Sequence, residues 1–298
     1  MLASVRGVLY HTRDSFMARI PVLIIHSGAG RQVADAGRAR ALEKKLKRIL
    51  DPAYARLAES GALDAVTLAV RLLEDDSGFN AGRGAYLQAD GKARLSASVM
   101  DGSRGRFAAV INLEQIQNPV LAARALLDDK DRVLAGEGAG LFARKLGLKR
   151  LKSISRRSRL LWRKWSKSGC DTVGACALDR WGRLASASST GGRGFERPGR
   201  VSDSGMPVAS YADRHAAVAA TGIGEEIMDS GLAVRIVTRV ADGLSLARAF
   251  AKTFREARTR GLRLGGIGVD WRGNLAWETP TPALFFAWKR GGRGGLWT

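Results

Sequence analysis

The sequence predicts an α+β fold in which hairpins of buried strands are combined with amphipathic helices. Residues 172–178 are small, branched and mostly apolar, and a turn at 179–182 leads directly into a second such run at 184–190. Strands joined by so short a turn pair in antiparallel fashion, which brings Thr172 and Thr190 close together. Residues 62–74 instead place apolar side chains at the spacing of one helical face: Leu63, Val66, Val70 and Leu73.

Length and composition are those of a globular protein with a sizeable core. The 298 residues are 45% apolar and carry a net charge of +21. No apolar run reaches the roughly 18 to 20 residues that a membrane helix needs, so we expect no membrane association. We predict one folded domain.

The N-terminal residues 1–16 precede a second methionine, Met17. They lack an apolar core of signal-peptide length, so we interpret them as a disordered extension or a misassigned start and expect a cytoplasmic protein. A buried strand at 22–25 then ends in a glycine-rich turn at 26–30. This turn lacks the Walker lysine and the dinucleotide spacing, so its glycines are expected to allow close backbone approach to a site.

Several further elements are predicted before residue 130. Residues 36–50 indicate a helix, and a helix beginning at Asn118-Pro119 is expected to run to about residue 129. The turn at 89–92, with the strand up to Ser98, indicates a second hairpin. The acidic loop 75–78 lacks the ligand pattern of a hand-type calcium site.

Residues 144–167 contain eleven Lys or Arg, two Trp and no acidic residue. One interpretation is a patch that binds RNA, DNA or anionic lipid. The other, which we favour, is a solvated linker with at most non-specific polyanion binding.

The C-terminal third is predicted to hold a helix at 241–260 and a hairpin around 271–273, followed by a loose Gly/Arg-rich tail from Lys289. The two cysteines, Cys170 and Cys176, lie about 20 Å apart along an extended strand, so we expect reduced thiols. No zinc motif is present.

Six segments distributed in order along the chain carry a family resemblance. They are IIHSGAG (24–30), LEDDSGFNAGRGAYL (73–87), ASVMDG (97–102), DTVGACALDRWGRLASASSTGG (171–192), RPGRVSDS (197–204) and TGIGE (221–225). Together they resemble the plant-type asparaginase and isoaspartyl peptidase family of N-terminal-nucleophile hydrolases. The resemblance implies a four-layer αββα sandwich with an α-subunit-like part at 17–171, ending in a basic linker at 144–170, and a β-subunit-like part at 172–298.

The resemblance also implies site residues. Thr172 matches the nucleophile, with self-cleavage between Asp171 and Thr172, and Thr190 matches the threonine that orients it. Thr221 and the backbone N–H of Gly222 match the oxyanion hole. Substrate binding falls to Arg200, Asp203 and Gly224, with Arg200 on the α-carboxylate and Asp203 on the α-amine.

Cofactor and assembly are implied in the same way. No catalytic metal or cofactor is expected, but a structural sodium ion is expected on backbone carbonyls of the loop from Leu73 to Asn80. The cleaved chain is expected to form a dimer of α/β heterodimers. Two positions depart from the family pattern, which usually has an acid where Ser96 stands and a glycine where Ser202 stands.

The chemistry follows from what a threonine needs. Its hydroxyl is a poor nucleophile at pH 7 unless a neighbouring base accepts the proton. Cleavage before Thr172 would free an α-amine with a reference pKa near 8, so one residue would supply nucleophile and base.

The resemblance implies hydrolysis of β-aspartyl amide bonds in a small substrate, either L-asparagine or isoaspartyl dipeptides, through an ester on Thr172. The Asp-Thr junction also resembles the aspartylglucosaminidase and threonine-aspartase branches, and these stay open as alternatives. A degenerate scaffold that binds nucleic acid or membrane through residues 144–167 is the non-enzymatic alternative.

Overall fold

The chain forms two β-sheets in the residues that the computed structural model describes, which are 19–30, 35–164, 172–279 and 283–297. The first sheet has eight strands, in the order β12 (Arg293–Trp297), β11 (Ala283–Arg290), β1 (Val22–Gly30), β5 (Val173–Leu178), β6 (Leu184–Thr190), β2 (Leu95–Asp101), β3 (Arg106–Leu113) and β4 (Val133–Ala135). Its neighbours are antiparallel except for the parallel pair of β3 and β4.

The second sheet is antiparallel and has four strands. Their order is β10 (Leu275–Glu278), β9 (Leu264–Asp270), β8 (Ala216–Gly222) and β7 (Ser210–Ala212).

Eight helices accompany the sheets in the described residues. They are α1 (Ala36–Ser60), α2 (Ala62–Asp75), α3 (Pro119–Leu126), α4 (Gly136–Lys145), α5 (Arg156–Arg163), α6 (Gly224–Ser230), α7 (Leu232–Ala241) and α8 (Leu246–Thr259). None of these helices is both long enough and apolar enough to cross a bilayer.

Three hydrophobic clusters pack these elements together. The first joins α1, α2 and α3 to one face of the eight-stranded sheet, with Leu57, Val70 and Val99 among its fully buried members. The second joins α7 and α8 to the four-stranded sheet around Val218. The third lies between the two sheets and includes alternate residues of β1, β5, β8 and β9. The fold is therefore a mixture of helices and sheets, as the sequence predicts.

The predicted hairpin around Thr172 corresponds to β5 and β6, which pair from Val173 with Ser189 to Leu178 with Leu184. The hairpin predicted around residues 89–92 was wrong. A turn forms there, closed by the Gln88 and Lys92 backbones, but residues 85–88 before it form no strand. Instead β2 pairs with β3 across the turn that follows Asp101, and Val99 and Val110 of the two strands are buried in the same cluster.

Helix boundaries also differ from the sequence prediction. The first helix continues past Pro52 to Ser60, because Ala53 and Leu57 extend its buried stripe and their packing offsets the single backbone hydrogen bond that proline removes. The helix predicted at 241–260 begins only at Leu246. Gly243, with φ +100°, lies in the left-handed region and ends α7 just before it.

The C-terminal tail was predicted to be loose, and that prediction was wrong. Residues 283–297 form β11 and β12, joined by a turn in which Gly291 has φ +56°. Leu284 and Phe286 of β11 are buried against β1 and the second sheet, which explains why a chain rich in Gly and Arg is still ordered as a strand.

Candidate active site

Thr172 is the first described residue of the C-terminal part and immediately precedes β5. It is 4% exposed. Asp171, the other side of the predicted cleavage position, lies outside the described residues. Val173, Ala175 and Ala177 belong to the helix-side cluster, whereas Cys176 and Leu178 belong to the cluster between the sheets. Since side chains alternate along a strand, Thr172 faces the space between the sheets.

The same alternation applies to the other two threonines. In β6, Ala185 and Ala187 lie on the helix side, so Thr190 faces the second sheet. In β8, Ala217 and Ala219 lie between the sheets, so Thr221 faces the first sheet. All three predicted threonines therefore lie on the opposed faces of the two sheets.

Strand register brings Thr172 and Thr190 side by side. Val173 pairs with Ser189, so the next position outward sets Thr172 opposite Thr190. Thr190 also pairs with Ser96 of β2, whose hydroxyl accepts a hydrogen bond from the Asn112 backbone at 3.2 Å. A serine thus lies next to Thr190, at the position where the resemblance implies an acid.

The turn after β6 fixes the Thr190 side chain. Its Oγ1 accepts a hydrogen bond from the Gly192 backbone N–H at 3.1 Å. Asn80 holds the same turn: its carbonyl oxygen accepts from Gly191 N–H at 2.9 Å, and its side-chain amide donates to the Gly192 carbonyl. A β-carbon on Gly191 would lie 2.3 Å from that of Ala85, so this close approach requires glycine.

His26 of β1 lies beside Thr172, and its role was not recognised from the sequence. It pairs with Gly174, and a β-carbon at that glycine would lie 2.4 Å from the His26 Nε2 atom. The ring is fully buried, and burial lowers the pKa of His26 to about 3, with a small opposing effect of the Thr172 backbone. This imidazole is neutral and is a weak base at physiological pH.

Thr221 and Gly222 end β8. The Thr221 hydroxyl is fully buried and has no hydrogen-bond partner among the described residues. Gly222 has φ +131°, and a β-carbon there would lie 2.6 Å from the Arg263 carbonyl oxygen, so only glycine fits. Thr221 therefore has a hydroxyl that is free to donate a hydrogen bond. It lies at the end of β8, on the side that faces the sheet of Thr172.

Arg200 and Asp203 meet at the start of α6. The site of a β-carbon on Gly224 lies 2.6 Å from Arg200 Nη2 and 2.5 Å from Asp203 Oδ1. Both charged groups therefore approach the same glycine. The predicted site residues Arg200, Asp203 and Gly224 are adjacent in the structure.

Asp203 is a buried carboxylate that can accept further hydrogen bonds. One oxygen accepts from the Ser202 hydroxyl at 3.0 Å, and the other has no partner among the described residues. Burial raises the pKa of Asp203 to about 6, opposed by the Ser202 hydrogen bond and the Arg200 charge. Ser202, the departure from the family pattern, thus acts directly on this carboxylate.

Glu225 is a site residue that the sequence analysis missed. The Arg200 guanidinium donates to it through two atoms, Nε to Oε1 at 2.9 Å and Nη2 to Oε2 at 3.0 Å. This side-on fork leaves the Nη1 edge of the guanidinium available for a second carboxylate. The only sequence signal was the acid that closes TGIGE, 25 positions after Arg200.

No cluster of three or more His, Cys, Asp or Glu that could hold a metal occurs in the described ranges. Main-chain oxygens pack tightly against two glycines that follow the loop predicted to bind sodium. Those of Ser77 and Phe79 lie against Gly84, and those of Glu74 and Gln117 lie against Gly82. This packing leaves no room for a β-carbon, so both positions require glycine.

Cys176 is a buried free thiol whose pKa is raised by burial, so it is unreactive, and Cys170 lies outside the described residues.

Comparison with known proteins gives a consistent result. A family model described as asparaginase matches residues 19–169 and 163–295. A Nostoc protein named isoaspartyl peptidase/L-asparaginase is 40% identical over 296 residues, covering 91% of this chain and 92% of its own. An Escherichia coli protein named isoaspartyl peptidase is 36% identical over 308 residues, covering 91% and 93%. A Pyrobaculum calidifontis protein named plant-type L-asparaginase is 35% identical over 292 residues, covering 91% and 97%.

Proposed function

Because the chain belongs to the asparaginase family and is an amidohydrolase of β-aspartyl amide bonds, we propose that it acts through Thr172 after cutting itself between Asp171 and Thr172. The observation that carries this proposal is the position of Thr172. It lies opposite Thr190 in the strand register, on the sheet face that Thr221 faces from the second sheet.

Self-cleavage begins with attack of the Thr172 hydroxyl on the Asp171 carbonyl carbon. The amide C–N bond breaks as the ester C–O bond forms, so the acyl group moves from nitrogen to oxygen. Water then hydrolyses the ester, which leaves a carboxylate on Asp171 and restores the Thr172 hydroxyl beside a new α-amine.

In hydrolysis the α-amine of Thr172 accepts the hydroxyl proton, and the oxygen attacks the β-carbonyl carbon of the substrate. The low pKa of His26 supports the α-amine as base, because a group with a pKa of about 3 holds a proton poorly at pH 7. The amine then gives the proton to the leaving nitrogen. Ammonia or a peptide amine departs, and water hydrolyses the β-aspartyl ester.

Neighbouring groups take supporting roles in this proposal. The Thr190 hydroxyl accepts from the Gly192 N–H, which leaves its own proton free to donate to the Thr172 oxygen. The buried Thr221 hydroxyl and the Gly222 N–H stabilise the oxyanion. Arg200 binds the substrate α-carboxylate through its remaining edge, and Asp203 binds the α-ammonium with its free oxygen.

The substrate class includes L-asparagine and isoaspartyl dipeptides, which present the same β-aspartyl carbonyl with free α-groups. An aspartylglucosaminidase-like or threonine-aspartase-like preference is the alternative, suggested by Asp171 before the nucleophile.

Further parts of the proposal concern ion, architecture and assembly. A structural sodium ion on the carbonyl oxygens of the loop from Leu73 to Asn80 is proposed on the family resemblance. A four-layer αββα sandwich is supported by the three hydrophobic clusters. The dimer of cleaved heterodimers rests on the family resemblance, and the cytoplasmic location remains the prediction made from the sequence above.

The test is intact mass analysis of purified wild type and Thr172→Ala, followed by ammonia release from L-asparagine and hydrolysis of a β-aspartyl dipeptide. We expect two fragments and activity in the wild type, and one inactive full-length chain in the variant. Thr259→Ala is the matched control, because its hydroxyl only bonds the Arg255 carbonyl on the exposed face of α8. A wild type that hydrolyses substrate while remaining uncut would refute the free-amine mechanism.

A further inference from the structure

The basic segment before Thr172 contains a docked helix, α5. Residues 149–151 first bond to the chain near Gln117: the Gln117 N–H donates to the Lys149 carbonyl at 2.9 Å, and the Leu151 N–H donates to the Gln115 carbonyl at 2.8 Å. Helix α5 follows, with Ser155 as its N-cap, whose side chain accepts from the Ser158 N–H. Trp165 and Lys167 lie outside the described residues.

One face of α5 rests on residues 78–91, which we call the support loop. Ser158 is 1% exposed, and its hydroxyl donates to the Gly84 carbonyl at 3.0 Å. The Trp162 indole donates to the Gln88 carbonyl at 3.0 Å, and its ring lies 3.0 Å from the β-carbon position of Gly91. The Arg157 guanidinium donates to the Gly78 carbonyl and to the Tyr86 hydroxyl, each at 3.0 Å.

The other side of the support loop holds residues 190–200, which carry Thr190 and Arg200. Besides the Asn80 contacts to Gly191 and Gly192, the Phe195 N–H donates to the Leu87 carbonyl at 2.9 Å. The Ala89 N–H donates to the Glu196 carbonyl at 3.0 Å, and the Gly199 N–H donates to the Gln88 side chain at 3.3 Å.

Gln88 by itself connects α5 to the segment 190–200. Its backbone carbonyl accepts from Trp162 of α5, while its side-chain oxygen accepts from the residue before Arg200. A displacement of α5 would therefore act on the loop that carries both site residues through a continuous set of hydrogen bonds.

We propose that α5 is a positioning element of the active site: it stays docked on the support loop after self-cleavage and holds Thr190 and Arg200 in place. This inference rests on the proposed function and assigns a task to the segment that the sequence indicated as a linker. The cut site follows Lys164 by only seven residues, so α5 is the last described element of the N-terminal fragment. Arg156 and Arg159 of this helix are exposed, whereas Arg157 takes part in the docking.

The experiment compares the cleaved wild type with two double variants on the same helix. Ser158→Ala with Trp162→Ala removes two docking contacts, whereas Arg159→Ala with Leu160→Ala changes exposed positions only. Each protein is measured for kcat and KM with L-asparagine and for hydrogen exchange by peptide.

In the docking variant we expect faster exchange in residues 78–91 and 190–200, with β1 and α8 unchanged. We also expect a fall in kcat of about tenfold, since small displacements of catalytic groups are costly. The exposed variant should match the wild type. Trp162→Phe, with Ser158 intact, keeps an aromatic side chain but loses the indole donor and the outer ring atoms nearest Gly91, so its kcat should lie between those of the wild type and the docking variant.

Two results would overturn the proposal. One is exchange of residues 156–164 in the cleaved wild type at the rate of an unstructured peptide, which would favour a free linker. The other is an unchanged kcat, with unchanged exchange at 190–200, in the docking variant. A wild type that hydrolyses neither L-asparagine nor a β-aspartyl dipeptide would count against the proposed function. Hydrogen exchange of residues 190–200 in the docking variant would still show whether α5 holds that segment in place.

Discussion

Gly224→Ala adds one methyl group between the two charged groups proposed to bind the substrate. The new carbon would lie 2.5 Å from Asp203 Oδ1 and 2.6 Å from Arg200 Nη2. An ordinary contact needs 3.4 Å, so the two atoms must retreat by about 0.9 and 0.8 Å. Gly224 is the first residue of α6 and does not have a positive φ, so its backbone accepts alanine without strain.

The size of the effect follows from the contacts that are displaced. A hydrogen bond to a charged group contributes about 1.5 to 3 kcal/mol, and losing one such contact to the substrate lowers kcat/KM by about 10- to 150-fold. We expect the change mainly in KM, because both groups bind parts of the substrate that do not react. Self-cleavage should persist, since it uses no free substrate.

The assay is ammonia release over a range of L-asparagine concentrations, with intact mass and thermal unfolding measured in parallel. Gly138→Ala is the matched control: this glycine lies within α4, and nothing lies within 4 Å of its β-carbon position. We expect the control to keep wild-type kinetics and to gain about 0.5 to 1 kcal/mol of stability. A folded, self-cleaved Gly224→Ala protein with an unchanged KM would refute the placement of the substrate at Arg200 and Asp203.

Three further predictions concern charged groups. Arg200→Ala should raise KM for L-asparagine while intact mass still shows two fragments; a chain that no longer cuts itself would give Arg200 a role before substrate binds. The pKa of Asp203 is about 6 and its ionised form is needed for an ammonium group, so KM should rise as pH falls from 7 through 6, and an Asp203→Asn protein with the same pH profile would contradict this. Burial raises the pKa of Glu74 from 4.5 to about 8, so the folded state binds this proton more tightly and the free energy of unfolding should fall as pH rises between these values. Urea unfolding of uncut Thr172→Ala protein at pH 5.5 and 8 measures this, and adding Glu74→Gln should flatten the difference.

The sequence was informative wherever structure depends on neighbours along the chain. Strands β5 and β6 are joined by only five residues, 179–183, so their pairing and the proximity of Thr172 and Thr190 could be predicted from local pattern. The buried stripe of α2 could be read from periodicity for the same reason.

Contacts between distant parts of the chain could not be predicted in this way. Asn80 meets Gly192 across 112 positions, and Ser158 meets Gly84 across 74. Composition was misleading for the outer strand β12, because sheet edges tolerate the Arg and Gly residues that also mark loose tails. The basic composition of α5 likewise indicated a solvated segment, whereas Ser158, Trp162 and the basic residue Arg157 all make docking contacts.

The order of strands in the large sheet has a consequence for the protein that the proposed cut would produce. Strand β1 comes from the N-terminal fragment and lies between β11 and β5 of the C-terminal one, while β6 pairs with β2 of the first fragment. Three ladders therefore join the fragments, and they cannot separate without dismantling the sheet. Before cleavage, folding is a first-order process of a single chain. After cleavage, recovery from full unfolding requires two chains to find each other, so the melting temperature becomes dependent on protein concentration and refolding from dilute solution becomes slow. If the proposed cut occurs, the two fragments assemble once, as a single chain, and their lifetime together is governed by the rate at which the shared sheet opens.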